Sequence, residues 1–200
     1  MGSIVKDKGG DFKVLDEGTH LAICNAVVDI GLQNTVWDSQ QENVWLRFEV
    51  PAERIQYIKD GEEIDEPMTI WTRYNKTLNK KATLRKDLDA WRGRNFSEDE
   101  LQGFDLFNLV GKPCLITVVH NQPGDRIYAN ISAIAKVMKD QEIPGQELES
   151  ICFSPNDTDQ YENVPEWLQE KFDNRVELEE LVEEPAANDD FEDDLDELPF

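Results

Sequence analysis

Two stretches of the chain each carry a tryptophan and an arginine separated by one residue: Trp45 with Arg47, and Trp71 with Arg73. Both pairs lie in runs where apolar and polar residues alternate. Successive side chains of a β-strand point to opposite faces, so each pair would share the face turned away from a core. Aromatic rings stack on unpaired nucleobases, and cationic side chains neutralise phosphates. The pattern therefore predicts a surface that binds a single-stranded nucleic acid.

The segment around the second pair is strongly basic. Residues 71–94 contain eight basic and two acidic side chains, a net charge of +6, in a chain whose net charge is -23. Such a stretch is typical of a phosphate track, and a solvated helix flank is the competing interpretation. The predicted nucleic-acid-binding residues are Trp45, Arg47, Trp71, Arg73, Lys76, Lys80, Lys81, Arg85, Lys86, Arg92, Arg94 and Tyr128.

The aromatic residues do not all have the same expected role. Phe48, Tyr74 and Trp91 are assigned to the core from the alternation or the helical period of their segments. Trp37 lies in a polar loop, where a lone tryptophan is a weaker ligand candidate. For the two Trp-x-Arg pairs, the competing interpretation is that a helix or residues 140–172 cover the rings.

Patterning predicts a mainly β protein. The predicted strands cover residues 20–30, 44–51, 69–74, 114–120 and 126–134, and a helical period predicts an amphipathic helix over residues 80–91. Ser97 and Glu100 have the spacing of a capping box, which predicts a second short helix. Five strands with helices inserted between strands 3 and 4 is the order expected of a five-stranded OB-fold barrel, whose second and third strands bind single strands or oligosaccharides. Other small β-barrels share this order.

Acidity is concentrated at the end of the chain. Residues 151–200 have a net charge of -16, against -7 for residues 1–150. A stretch this polar cannot bury enough apolar surface to offset the entropy of ordering, so a disordered tail is predicted. The expected organisation is a flexible N-terminus (1–11), an OB-fold domain (12–138), an extension with a short helix (139–175) and an acidic tail (176–200).

The tail has two predicted roles, recruitment of partner proteins and competition with DNA for the protein's own binding groove. Tethering raises the local concentration of its carboxylates, and salt screens them. The predicted partner-binding residues are Asp193, Asp194, Asp196, Leu198, Pro199 and Phe200.

Motifs for catalysis are not found in the sequence. It contains no phosphate-binding glycine loop, no His-x-Glu with Cys-x-x-Cys and no Gly-x-Ser-x-Gly, so neither an enzyme nor a cofactor or metal site is expected. His20 and His120 are expected to be structural. Three widely spaced cysteines and the lack of a long apolar run predict reduced thiols in a cytoplasmic protein without a membrane partner.

Short motifs add a resemblance to a known family. Residues 74–93, Gly111–Leu115 and Pro165–Leu168 resemble phage- and prophage-encoded single-stranded DNA-binding proteins, and the likeness covers residues 14–172. The motifs that carry it are Tyr74-Asn75, Leu78, Lys81-Ala82-Thr83-Leu84-Arg85-Lys86-Asp87-Leu88, Ala90-Trp91-Arg92-Gly93, Gly111-Lys112-Pro113-Cys114-Leu115 and Pro165-Glu166-Trp167-Leu168.

Residues 193–200 separately resemble the acidic tip of bacterial single-stranded DNA-binding proteins, which in that family recruits replication and repair enzymes. Leu198 stands where that tip usually has isoleucine, and the Gly/Gln-rich linker of those proteins is absent. The resemblance implies sequence-independent binding of single-stranded DNA in phage or prophage replication, recombination or repair, in the cytoplasm of a bacterial host. The expected partners are single-stranded DNA and replication or recombination proteins held by the tail, and a homo-oligomer is left open. The alternative is an acidic adaptor or DNA mimic that binds no nucleic acid.

Overall fold

The protein is mainly β, as expected. A computed structural model describes residues 13–37, 39–59 and 61–176, and the predicted N-terminal segment and nearly all of the predicted tail lie outside these residues. The strands are β1 (Gly18–Asn34), β2 (Gln40–Lys59), β3 (Glu62–Asn75), β4 (Pro113–Asn121), β5 (Tyr128–Ala135) and β6 (Ile151–Phe153). The helices are α1 (Thr83–Arg92), α2 (Glu98–Gln102) and α3 (Glu166–Asp173), with short 3₁₀ turns at Leu106–Leu109 and Tyr161–Asn163.

One open sheet contains all six strands. Its main path runs β3-β2-β1-β4-β5 with antiparallel neighbours, and β6 pairs in parallel with β1. β4 pairs with β1 only as far as the pair Ile23–Pro113. From Ala26 to Val28, the same edge of β1 pairs with β6 instead. The three-residue β6 was not predicted, because such a short segment carries no period.

β1 is buried on both faces, which explains why the sequence of its buried part is mostly apolar, apart from Asn25 and Asp29, rather than alternating. Val27 points into the main core, which also contains the predicted core residues Phe48, Tyr74 and Trp91. Ala26, Val28 and Ile30 point to the other side and enter a second cluster, completed by Ile151, Phe153, Val164, Leu168 and Phe172. Residues 139–175 therefore pack on the outer face of the sheet.

The helices confirm the capping and period arguments. Leu84, Leu88 and Trp91 are the buried residues of α1, which ends at Gly93 in a left-handed conformation with φ 68°. Ser97 and Glu100 form the predicted capping box at the start of α2. Helical structure is therefore present where the sequence predicts it, within a few residues.

The hairpin between β2 and β3 is longer than predicted. The predicted strands end at residue 51 and resume at residue 69, but the ladder also runs from Arg54–Pro67 to Lys59–Glu62, and a tight turn at Gly61 closes it. Charged residues have low strand propensity, but cross-strand contacts such as the 2.7 Å ion pair of Arg54 with Asp65 support the ladder here. The result is a two-stranded arm of mostly exposed residues.

Candidate nucleic-acid interface

The two Trp-x-Arg pairs face each other across the β2–β3 ladder. Trp45 lies opposite Arg73, and Arg47 lies opposite Trp71. Directly opposed residues of antiparallel strands project from the same face, so each ring has a guanidinium as its cross-strand neighbour. The predicted grouping of these four side chains on one face is therefore present.

α3 lies over part of this face. The Trp167 ring stands edge-on to Trp45, at a centroid distance of 4.8 Å, and to Trp71, at 5.9 Å. Both strand tryptophans are half-buried as a result. The structure thus agrees with the interpretation that residues 140–172 partly cover both rings.

Arg47 takes part in a buried polar network rather than in an open cationic surface. Its guanidinium donates to Asn25 Oδ1 at 2.8 Å and to the Glu149 carbonyl at 2.9 Å, and it lies 5.5 Å from the Trp71 ring centroid. Burial lowers the pKa of Arg47 from its ordinary value, and the nearby Glu49 carboxylate opposes this effect. Its contacts are those of a residue that fixes the extension to the sheet.

Glu49 holds the same stretch of the extension. Its fully buried carboxylate accepts hydrogen bonds from Asn25 Nδ2 at 2.8 Å and from the backbone N–H groups of Glu147 at 2.8 Å and Leu148 at 3.0 Å. Three donors compensate the burial of this charge. The outward face of β2 is therefore divided between an anchoring end at Glu49 and a more open end at Trp45.

A groove with a volume of 560 Å³ lies at that open end, and we call it the Trp45 groove. Of its described lining residues the charged ones, Arg73 and Lys171, are both cationic. Trp37 stands at its rim with 86% of its surface exposed. The lining residues are Ile30, Gln33, Asn34, Thr35, Val36, Trp37, Ser39, Gln41, Asn43, Trp45, Arg73 and Lys171.

Local contacts hold the walls of the groove in place. The loop between β1 and β2 is closed by hydrogen bonds between Thr35 and Ser39, through the backbone at 2.8 Å and the hydroxyls at 2.7 Å. The end of α3 is tied to β1, because Gln33 Nε2 donates to the Lys171 carbonyl at 3.2 Å. The groove is therefore formed jointly by β1, β2, β3 and α3.

Two buried polar atoms of lining residues have no hydrogen-bond partner among the described residues: Asn43 Oδ1 and Trp45 Nε1. Asn43 is only 4% exposed, and its amide nitrogen donates to the Gln41 carbonyl at 3.3 Å. That bond orients the amide so that its oxygen is the unpaired atom. Two residues that line the groove thus each carry a buried polar atom, one acceptor and one donor, without a hydrogen-bond partner among the described residues.

Half of the predicted basic track is held in ion pairs. Lys76 contacts Asp29 at 2.7 Å and Glu42 at 3.6 Å. Burial alone would lower the pKa of Lys76, but the hydrogen bonds and charges of Asp29 and Glu42 together raise it. The other ion pairs are Arg85 with Asp89, Arg92 with Glu100, and Arg94 with Glu100. These side chains support the helical region.

The remaining predicted cations are exposed. Arg73, Lys80, Lys81 and Lys86 form no salt bridge within the described part of the chain. Tyr128 is 48% exposed at the start of β5, opposite Asn121, and does not line the groove. Of the twelve predicted residues, the structure therefore brings Trp45 and Arg73 into one groove.

Sequence reasoning missed Asn43 and Lys171 and gave Trp37 little weight. Lys171 becomes a lining residue only because α3 docks on the sheet, and no local pattern reports that contact. Asn43 did carry a signal, since it shares the strand face of Trp45 two residues away. A polar residue at the mouth of a loop next to a predicted binding strand was therefore a reasonable candidate.

The comparisons and the remaining structural features do not identify a family. Protein-family models, curated proteins and solved structures give no match to this chain. Within the described residues, no helix is both long and apolar enough to traverse a bilayer. The six predicted tail residues lie outside the described part, which ends at Val176, whose N–H donates to the Leu32 carbonyl at 2.8 Å.

Proposed function

We propose that this protein binds single-stranded DNA, largely independently of sequence, with the Trp45 groove as the entry of the binding path. The observation that carries the proposal is the meeting of Trp37, Trp45, Arg73 and Lys171 in that groove. An exposed indole offers a stacking surface for an unpaired base, and two cations at the groove can neutralise the adjacent phosphates. Lys80, Lys81 and Lys86 would extend the path as exposed cations that form no salt bridge within the described residues.

We further propose an OB-type barrel as the fold behind this site. Three features support an OB-type barrel: three consecutive antiparallel strands, helices between β3 and β4, and the close approach of β3 to β5. The biological setting proposed with it is non-enzymatic work in phage or prophage DNA replication, recombination or repair in the bacterial cytoplasm. Partner proteins would be recruited by Asp193, Asp194, Asp196, Leu198, Pro199 and Phe200.

Titration of a fluorescent single-stranded oligonucleotide tests the central claim. Trp37→Ala removes one stacking surface, which is worth roughly 1–3 kcal/mol, so the dissociation constant should rise about 5- to 150-fold. Tyr57→Ala is the matched control, because Tyr57 is 39% exposed on the hairpin arm, away from the groove. No binding to single strands at low salt, or equal effects of the two substitutions, contradicts the proposal.

Salt dependence tests the cations separately. If Arg73 and Lys171 each contact one phosphate, replacing either by alanine lowers the slope of log affinity against log salt by about 0.7. Lys59→Ala, at an exposed position near the tip of the hairpin arm, should leave that slope unchanged. Duplex DNA should bind poorly to every variant, because its bases are not available for stacking.

A protein-binding adaptor is the second candidate, and the hairpin arm favours it. Residues 53–67 carry six acidic and two basic side chains, and Ile58 on this arm is 73% exposed. The acidity of the arm is the feature that favours this candidate, because a surface of one charge sign attracts a protein surface of the opposite sign. The adaptor predicts that Ile58→Asp abolishes capture of a protein partner while the protein shows no affinity for oligonucleotides.

A further inference from the structure

We propose that the hairpin arm of one copy of this protein binds the basic flank at the start of α1 in a second copy, so that copies associate head to tail. The hairpin arm covers residues 53–67, and the basic flank consists of Lys80, Lys81 and Lys86. This contact joins two protein surfaces and is independent of the proposed binding of nucleic acid.

The hairpin arm has two strands and no third one among the described residues. Its ladder runs from the pair Arg54–Pro67 to the pair Lys59–Glu62, and the pairing of β2 with β1 ends at Glu49. A two-stranded ribbon on its own is marginally stable in water. Packing against another surface would therefore stabilise the arm.

The tip of the arm places an exposed apolar side chain beside acidic ones. Ile58 is 73% exposed and lies opposite Glu63 in the ladder. Glu62 and Glu63 are both exposed and form no salt bridge within the described part of the chain. Six acidic and two basic side chains give residues 53–67 a net charge of -4. A surface that fits this tip must offer cations around an apolar contact.

The basic flank of α1 meets that requirement. Lys80 and Lys81 precede the helix and Lys86 lies near its start. All three are exposed and form no salt bridge with any described residue. A lysine side chain can pack its methylene groups on apolar surface while its ammonium group stays in water. These lysines can therefore surround Ile58 and pair with the acidic side chains of the tip.

The tip and the basic flank lie at opposite ends of the β2–β3 ladder. α1 is held at the far end, where the Tyr74 hydroxyl donates to the Asp87 carboxylate at 2.8 Å, whereas Glu62 lies at the tip. From Glu62 to Tyr74 the strand advances 12 residues, or about 40 Å at about 3.3 Å per residue. A paired ladder cannot fold back on itself, so the tip reaches a basic flank only in another copy.

This contact joins two different surfaces and is therefore heterologous. Heterologous contacts continue from copy to copy unless they close a ring. Pairing of two arms edge to edge is the alternative, and it would bring together two surfaces with a net charge of -4 each. The whole-chain charge of -23 also repels, but at about 0.1 M salt the Debye length is about 10 Å, so distant charges are screened more than contacting ones.

Sedimentation velocity of the full chain without nucleic acid, from micromolar to submillimolar concentrations at about 0.1 M salt, tests the contact. The weight-average sedimentation coefficient should rise with concentration. Glu62→Lys combined with Glu63→Lys, the arm variant, should raise the dissociation constant at least about 10-fold, because attractions become repulsions. Glu162→Lys combined with Glu166→Lys is the matched control. It changes the net charge equally at exposed positions of the extension and should not weaken association.

A charge exchange identifies the surface that receives the arm. Lys80→Glu combined with Lys81→Glu, the flank variant, should weaken association as strongly as the arm variant, because its arm and its flank are both acidic. An equimolar mixture of the two variants should associate again, since every arm then meets a flank of opposite charge. Recovery in the mixture also shows that both variants are folded.

A sedimentation coefficient that does not change with concentration overturns the inference, as does equal association of the arm variant and its control. Association that persists in the flank variant, or a mixture that stays monomeric, shows that the arm does not bind the basic flank and overturns it too. All of these results leave the proposed function standing, which fails if single strands do not bind at low salt.

Discussion

Trp37 and Trp167 are the same residue type in opposite environments, so one substitution at each separates binding from stability. Trp37 is 86% exposed at the rim of the Trp45 groove, whereas Trp167 is 39% exposed and packs edge-on against Trp45 and Trp71. Trp167→Ala should therefore destabilise the fold, and Trp37→Ala should not. The reverse holds for binding of single strands, because Trp37 is the exposed stacking surface.

The expected destabilisation follows from the buried area of Trp167. About three-fifths of a side chain of roughly 200 Å² is buried, or about 120 Å², which corresponds to about 3 kcal/mol at 25 cal/mol per Å². The two edge-to-face ring contacts raise this value, and relaxation of α3 into the vacated space lowers it. For Trp37→Ala the same estimate gives less than about 1 kcal/mol.

Equilibrium unfolding in urea, followed by far-ultraviolet circular dichroism, measures both free energies, and oligonucleotide titration measures binding. Because the second cluster shares β1 with the main core, the loss at Trp167 should appear in the main unfolding transition. Equal losses of stability for the two variants, or a larger loss for Trp37→Ala, would refute the placement of α3 over the β2–β3 face.

Two further substitutions test the buried polar groups. Glu49→Ala removes the acceptor for three donors and should lower the free energy of unfolding in urea by about 3 kcal/mol. Glu49→Gln keeps one acceptor oxygen and should lower it less. An unchanged free energy of unfolding for Glu49→Ala contradicts the anchoring role. Burial raises the pKa of Asp87, whose carboxylate accepts a hydrogen bond from the Tyr74 hydroxyl. A raised pKa means that the folded state binds the proton more tightly, so this carboxylate lowers stability above its folded pKa and not below the ordinary aspartate pKa. Asp87→Asn should therefore be more stable than the unaltered protein at neutral pH, and the difference should vanish on acidification; a gain that is constant with pH argues against this origin.

The sequence predicted the interior of the sheet better than its outer cover. The alternation in β2 and the helical period of α1 each have one inward side, and Phe48 and Trp91 are buried as those patterns require. The cover depends on contacts between distant segments, such as Trp45 with Trp167, which no local period encodes. One clue was nevertheless present: β1 is mostly apolar at successive positions on both of its faces, and a strand buried on both faces requires a second layer.

The same distinction explains the outcome for the binding residues. Charge counting detected the basic stretch but not which cations are already paired, because Asp29 and Glu100 approach Lys76 and Arg94 only in the folded chain. Arg73 is exposed, and its cross-strand neighbour is Trp45 rather than a carboxylate. Composition therefore located the candidate surface, and the strand register selected the residues.

The point at which the described chain ends bears on the predicted competition between the acidic tail and DNA. Val176 is hydrogen-bonded to Leu32, next to the groove-lining Gln33, and residues 177–200 carry twelve carboxylates and no basic side chain. We expect that tethering from this point raises the effective concentration of these charges at Arg73 and Lys171. A chain ending at Val182 should thus bind a single-stranded oligonucleotide more tightly than the full chain at low salt, with the difference lost at high salt because the attraction is screened. If both chains bind with the same low-salt affinity, the tail does not compete for the groove, and recruitment of partner proteins remains its one proposed role.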